Sequence, residues 1–290
     1  MNEFDLIGRV VGALGEVSSG GELRVGPGDD ASVSRVPQGC ELVSSIDTLV
    51  AGRHFPEDAD PERIGYRAMM VSVSDLAAMG AEPGVVLVAL SLEQGDPDWV
   101  EALARGLRRA ALEVSVKVAG GNFARGPLAL SVSVHGYVPI GQAVTRSGAQ
   151  VGDGVYVTGP LGGAAAALAA GLRDETLNQR YYAPLARVDL AAPLRDSATS
   201  AIDISDGLLQ DAGHLASASG CALSLAAESV PVFAGASLEH ALSGGDDYEL
   251  CLTAASPPPF TATRIGEVVA GSGVLLDGRP VPAQGYQHFE

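Results

Sequence analysis

Residues 201 to 211, AIDISDGLLQD, place Asp203, Asp206 and Asp211 in a stretch that otherwise reads as buried strand followed by buried helix. Carboxylates in apolar segments are unfavourable without a partner, and a hard divalent cation such as Mg2+ suits several of them at once. The same meeting of acids with glycine or apolar neighbours recurs in GPGDDAS (26–32), SSIDTLVAGRHF (44–55), VSVSD ending at Asp75, GGN (120–122) and SGGDDYE (243–249). Adjacent carboxylates raise one another's pKa unless positive charge sits among them. Glycine neighbours let the backbone approach a ligand and offer its amides to phosphate. Taken singly, most of these residues also have plain structural readings. Asp29 and Asp30 suit a solvated turn, Ser205 or Asp206 a helix N-cap, and Asp75 a core carboxylate paired with an arginine. Asn122 suits a turn, His54 a half-buried loop, and GGDDYE a hairpin turn entering a strand. Asp203, closing an apolar strand, has no such reading, and together the clusters point to bound cations.

Charge sharpens this reading. Acids outnumber bases 35 to 18, for a formal net charge of -17. A field of that sign repels nucleic acid and anionic membrane surfaces, and repels phosphate substrates unless cations accompany them. Lys117 is the only lysine, so neither a G-x-x-x-x-G-K-[ST] loop nor the protein-kinase lysine set can be built. H-E-x-x-H, G-x-S-x-G and an EF-hand loop are absent as well. A nucleoside triphosphate handled by this chain must therefore be neutralised largely by metal ions.

The elements that must position these acids alternate between strand and helix. Residues 3 to 14 read as a helix with Phe4, Ile7, Val11 and Leu14 on one face. A strand over 41–47 follows, then a helix from Pro61 stopped at Gly80, in which Asp75 interrupts the stripe of Ile64, Ala68, Val71 and Ala78. Residues 84–92 predict a strand, Asp96 and Pro97 open a helix, and 128–138 alternates as a strand with one polar face. Residues 139–153 form a linker between a first domain over 1–140 and a second over 148–290. The second domain reads as a strand at GVYVTG, helices at 161–173, 187–197 and 206–219, and strands at SAIDIS and near 222–226, 247–253, 263–269 and 274–276. VSVSDLAAMGA (71–81) and AIDISDGLLQDAG (201–213) share an apolar–Ser–Asp–apolar core, which either internal repetition or chance explains. Cys40, Cys221 and Cys251 are far apart and odd in number, as expected of buried thiols in a reducing compartment. The N-terminus lacks a basic signal-peptide region, and the apolar runs are too short to span a bilayer. A cytoplasmic location is expected.

The motifs GDDAS, SSIDTLVAGRHF, VSVSDLAAMGAEP, GGN, TRSGAQVGD, DISDGLLQDAGHLA, SGGDDYEL and GYQHF, in that order from about residue 26 to 289, resemble those of the thiamine-monophosphate kinase family. That family lies in the superfamily of aminoimidazole ribonucleotide synthetase, selenophosphate synthetase and a hydrogenase maturation factor. The resemblance implies an α/β (α+β) fold of two domains like aminoimidazole ribonucleotide synthetase, with an N-terminal sheet domain that dimerises and a C-terminal α/β domain that completes the active site. It implies ATP-dependent phosphorylation of thiamine monophosphate with several Mg2+ ions, by a homodimer. Carried over by motif, Asp30, Asp47, Asp75 and Asp206 look like catalytic magnesium ligands, joined by Ser45, the backbone of Ile46, Asn122 and Asp203. Gly121, Asn122, Arg146 and Ser205 look like ATP contacts, and His54, Asp246 and Tyr286 like thiamine-phosphate contacts.

Three departures from the family pattern stand out. Asn122 replaces an aspartate, Ile46 a hydroxyl residue, and Ala104 a tyrosine that can meet the nucleotide. Two other readings compete. One is a sister reaction of the superfamily, foremost aminoimidazole ribonucleotide synthetase. The other is a Mg-ATP sensor without turnover, against which His54, Asp246 and Tyr286 argue, since they serve only an acceptor.

Overall fold

A computed structural model of the chain describes residues 3–282 and 284–286, so the His288–Phe289 pair of the last motif lies outside the described residues. The chain divides into two compact units. One comprises the residues up to Leu76 together with Ala81–Gly141; the other comprises Ala77–Gly80 and the residues from Gln142 onward.

The first unit contains α1 (Glu3–Leu14), the short pair β1 (Leu23–Val25) and β2 (Val33–Ser34), β3 (Cys40–Val50) and α2 (Pro61–Ala78), whose last two residues belong to the second unit. It continues with β4 (Glu82–Leu92), α3 (Pro97–Glu113), β5 (Lys117–Arg125) and β6 (Ala129–Pro139). The main sheet runs β3-β6-β4-β5, antiparallel except for the parallel pair β4 and β5. Period-two alternation decides its faces: Leu130, Val132, Val134 and Val138 of β6 are buried, while Ser131, Ser133 and His135 are half-buried. On β3 the same alternation leaves Leu42 and Ile46 exposed at 53% and 64%. α3 starts as its sequence requires, with the Asp96 carboxylate accepting from the amides of Asp98 and Trp99 at 3.0 and 3.3 Å. α2 is buried almost all round, which its mixed composition conceals from a one-stripe reading.

The second unit contains β7 (Gly154–Val157), α4 (Gly163–Ala169), α5 (Glu175–Tyr182), α6 (Ala191–Ser197), β8 (Ser200–Asp203), α7 (Leu208–Ser219), β9 (Ala222–Leu225) and α8 (Leu238–Ser243). β10 (Leu250–Ala254), β11 (Thr263–Val269), β12 (Gly273–Leu276) and β13 (Arg279–Val281) complete it. Its mixed sheet is ordered β13-β12-β9-β11-β7-β10-β8, with β12 and β9 parallel and the other neighbours antiparallel. β7, β8 and β10 are buried along their whole lengths, which is why they read as unbroken apolar runs. Val155, Val157, Ile202, Leu208, Leu215, Leu223 and Ile265 lie at the heart of the core.

Several sequence expectations need correction. The predicted helix over 161–173 shrinks to α4, and α5, opened by its Asp174 cap, follows where the sequence pattern predicts no helix. The 187–197 helix begins as a single 3-10 turn over Val188–Leu190. The 71–81 and 201–213 echo is not structural, since the first lies in a helix and the second spans strand, loop and helix. No helix among the described residues is long and apolar enough to cross a membrane.

Candidate active site

In the first unit, β3 carries Ser45 and Asp47 two residues apart, hence on one face of the strand, with Asp47 opposite Val132 and Ser45 opposite Val134. Those partners are fully buried, so Ser45 and Asp47 share the covered side of the sheet. There the Ser45 hydroxyl donates to Asp75 Oδ2 at 2.5 Å, which joins β3 to α2. Ile46, between them, turns its side chain to the open face, so only its backbone is left for any ligand role. The β3 strand is an edge strand, which leaves alternate backbone groups outside the ladder.

The other residues expected from this unit lie on other segments. Asp30 is exposed in a turn, its amide bonded to the Asp29 carboxylate at 2.8 Å. Gly121 and Asn122 lie within β5, not in a turn, on the opposite edge of the sheet. Asp47, Val132, Val88 and Gly121 form one row of the register, and three strand spacings of ~4.8 Å separate its ends by about 14 Å. Gly121 has a packing reason too, because a Cβ there would come within 1.9 Å of the Val88 carbonyl oxygen. His54 follows β3, and its Nδ1 accepts the Val50 amide at 3.0 Å, so this tautomer carries its proton on Nε2.

The second unit brings three segments together. Asp203, buried, ends β8 opposite Leu250. After it, the carbonyls of Ile204 and Ser205 accept from the 244–249 loop: Asp247 and Tyr248 amides to Ile204 at 3.2 and 2.9 Å, and the Asp246 amide to Ser205 at 2.7 Å. Gly245, at φ 68°, lets this contact form, since a Cβ would lie 2.6 Å from Ser205 O. Asp246 and Tyr248 also hold positive φ, 65° and 55°, a strained conformation for residues with side chains. GGDDYE is thus a loop locked against 203–206, not a hairpin turn, and β10 starts only at Leu250. The third segment is 284–286: the Tyr286 amide donates to the Asp206 carbonyl at 3.0 Å, and the Tyr286 side chain is 41% exposed.

The start of α7 corrects the capping expectation. Its N-cap is Gly207, without a side-chain cap, so neither Ser205 nor Asp206 serves. Instead the Asp211 carboxylate folds back and accepts the amides of Asp206 and Gly207, both at 3.1 Å. Burial, and next the charge of Asp206, push the Asp211 carboxyl up to about 7, against those two amides and Arg146. One ligand atom each from Asp206, Asp211 and His214 lie within 4.8 Å of one another, a carboxylate-rich set that fits a hard divalent cation. His214 went unnoticed in the sequence, although its spacing of three from Asp211 puts both on one helix face. The exposed Arg146 is tied to the same helix, its carbonyl accepting from the Ser219 hydroxyl at 3.2 Å.

Asp247 and Glu249 turn inward instead. Glu249, 1% exposed, accepts from Thr158 at 2.7 Å, Arg187 at 2.7 Å and Arg180 at 3.1 Å. Asp247 accepts the Gly162 amide with both oxygens, at 2.8 and 3.0 Å. Burial lifts the Asp247 carboxyl to about 8 from 3.8; the Gly162 amide and Arg180 oppose the rise, and Asp246 and Glu249 add to it. Between those values the folded chain keeps a proton that the unfolded chain has released. This group therefore makes stability fall as pH rises, by about 1.4 kcal/mol per pH unit mid-window. Asp247→Asn keeps an oxygen for Gly162 and removes the titration. Urea unfolding at pH 5, 6 and 7 should show a shallower decline than wild type, and parallel declines would refute the assignment.

The family "AIR synthase related protein, N-terminal domain" matches residues 28–138, and its C-terminal counterpart matches residues 150–277. Thiamine-monophosphate kinase of Salmonella typhimurium is 39% identical, over 99% of this chain and 98% of that protein. The crystal structure of thiamine-monophosphate kinase from Stenotrophomonas maltophilia superposes with a TM-score of 0.88 at 37% identity, over 97% of this chain and 98% of that one. The structure of AaThiL complexed with AMPPCP and TMP superposes at 0.83 with 32% identity, over 99% and 97%. Two AIR-synthase-type domains with mixed helices and sheets, matched along nearly the whole chain, place it in the thiamine-monophosphate kinase family.

Proposed function

We propose that this chain transfers the γ-phosphoryl group of ATP to thiamine monophosphate, giving thiamine diphosphate and ADP. The observation that carries the reading is the convergence of 203–207, 244–248 and 284–286, which gathers Ser205, Asp206, Asp246 and Tyr286, in a chain whose full-length relatives are thiamine-monophosphate kinases. A relative bound to AMPPCP and TMP supports ATP and thiamine monophosphate as the two substrates.

Phosphoryl transfer asks mainly for positioning and charge neutralisation, because its transition state spreads charge over oxygens. Mg2+ ions, when bound, supply that neutralisation between two anionic phosphates. Asp30, Asp47, Asp75 and Asp206, with Ser45, the Ile46 backbone, Asn122 and Asp203, are the oxygen donors proposed for them. Gly121, Asn122, Ser205 and the exposed Arg146 guanidinium are assigned to ATP. His54 offers an N–H to the acceptor phosphate, which is already anionic and needs no strong base. Asp246 complements the cationic thiazolium, and the exposed Tyr286 ring offers a stacking face.

Residues 1–140 are assigned ATP and metal binding and dimerisation, and residues 148–290 the further contacts of the reaction. The open sheet face, with Leu42, Ile46 and Leu87 exposed, supports pairing with a second copy. Sedimentation at micromolar concentration checks this, and a monomer would overturn it. Free cysteines at 40, 221 and 251 suit the cytoplasm. The functional reading itself is tested by incubating the chain with ATP, MgCl2 and thiamine monophosphate and separating the products. Thiamine diphosphate and ADP in equal amounts are expected; ATP binding without diphosphate would sink the reading.

A further inference from the structure

Gln210 belongs to none of the motif positions assigned above, yet it touches two of them. Its side-chain amide donates to Asp206 Oδ2 at 2.9 Å and to the main-chain carbonyl of Tyr286 at 3.3 Å. A carboxamide has two N–H donors, so both acceptors can be served at once. Tyr286 is held from its other side as well, its own amide donating to the Asp206 carbonyl at 3.0 Å. Gly285 lies against the same pair of residues. A Cβ there would come within 2.4 Å of Asp206 O and 2.7 Å of Gln210 Oε1. The segment is thus fastened at both backbone groups of Tyr286, across a contact that admits only glycine.

We propose that Gln210 is a positioning residue that staples the Gly285–Tyr286 segment onto Asp206, so that one side chain sets both the orientation of the Asp206 carboxylate and the place of Tyr286 against the acceptor. The functional half of this inference rests on the kinase reading; the staple itself does not. Neighbouring side-chain types cannot do the same. Glutamate has the length but no donor, and would set a second negative charge against Asp206. Asparagine has the donors but is one methylene shorter. Leucine keeps the helix and the bulk without any hydrogen bond.

Two measurements on the full chain separate the halves. In the first, hydrogen exchange of the Tyr286 amide is followed without substrates in wild type, Gln210→Leu, Gln210→Glu and Gly285→Ala. Exchange should quicken about tenfold in each variant, the loss of roughly one hydrogen bond's net contribution. Unchanged exchange in the Gln210 variants overturns the staple, whether or not the protein makes thiamine diphosphate. In the second, Gln210→Leu and Gly285→Ala each raise KM for thiamine monophosphate about tenfold, while KM for ATP stays within about twofold. The double variant should raise KM for thiamine monophosphate no further than either single one, because both remove the same docking of Tyr286. A multiplicative loss of about a hundredfold in the double variant, or a rise confined to KM for ATP, overturns the coupling to Tyr286. No diphosphate from wild type would overturn the kinase reading and the functional half together, leaving the exchange result to stand for the staple.

Discussion

Asp75→Asn lowers the rate of thiamine diphosphate formation by roughly 10²–10³-fold, the range lost when one preorganised electrostatic group is removed from a reacting site. Asparagine has nearly the same volume, and its amide oxygen still accepts from Ser45, whose hydroxyl now lies 2.5 Å from Asp75 Oδ2. What disappears is one negative charge, that of the carboxylate which the Ser45 hydroxyl meets on the covered side of the sheet. The variant should therefore melt within a degree or two of wild type, yet need more Mg2+ for half-maximal rate. Steady-state product formation across a Mg2+ titration, with a thermal melt alongside, checks both parts. A loss below about tenfold would remove Asp75 from the catalytic set.

The largest effect on stability is expected at Glu249. Glu249→Ala should destabilise the second unit by about 3–5 kcal/mol, the loss typical when a buried ion pair is broken from one side. The two guanidinium groups left behind, Arg180 and Arg187, have side chains only 13% and 16% exposed, so water cannot readily replace the carboxylate. Thr158 loses the acceptor for its hydroxyl, and that hydroxyl oxygen itself accepts the Leu250 amide at 2.8 Å, so damage reaches the start of β10. Glu249→Gln keeps one oxygen for an arginine or Thr158 and should lose less. Urea unfolding followed by circular dichroism measures the difference, and an alanine variant within about 0.5 kcal/mol of wild type (the range of an ordinary surface change) would show the arginines to be solvated.

The framework was legible in the sequence because its signals are periodic and local. Asp96-Pro97 announced α3, the alternation over 128–138 announced β6, and unbroken apolar runs announced the buried strands of the second unit. Elements governed by tertiary context were less readable. α5 has an Asp174 cap but polar residues along most of its length, and α4 stops early although small residues continue past it. At the site, the motif acids could be named, but not their division of labour. Asp246, Asp247 and Glu249 look alike as SGGDDYE; only folding turns Asp247 and Glu249 inward to Gly162 and two arginines from distant segments. Asp211 likewise reads as one more acid until its carboxylate is seen closing the amino end of its own helix. Gln210 carried no signal, since its partners are a side chain four residues back and a carbonyl 76 residues ahead.

The membership of Ala77–Gly80 in the second unit bears on how the chain is made. Ala77 and Ala78 are buried with Val144, Tyr156, Leu194, Leu250 and Leu252, and Met79 and Gly80 offer their carbonyls to Val144 and Arg195. On the ribosome these four residues are added to the chain some sixty positions before any of those partners. The end of α2 must therefore wait with its apolar surface uncovered until β10 has been translated, and a fragment cut at residue 141 would carry that surface away from the half that needs it. The two units are successive in sequence only by approximation; as folding units they share a splice.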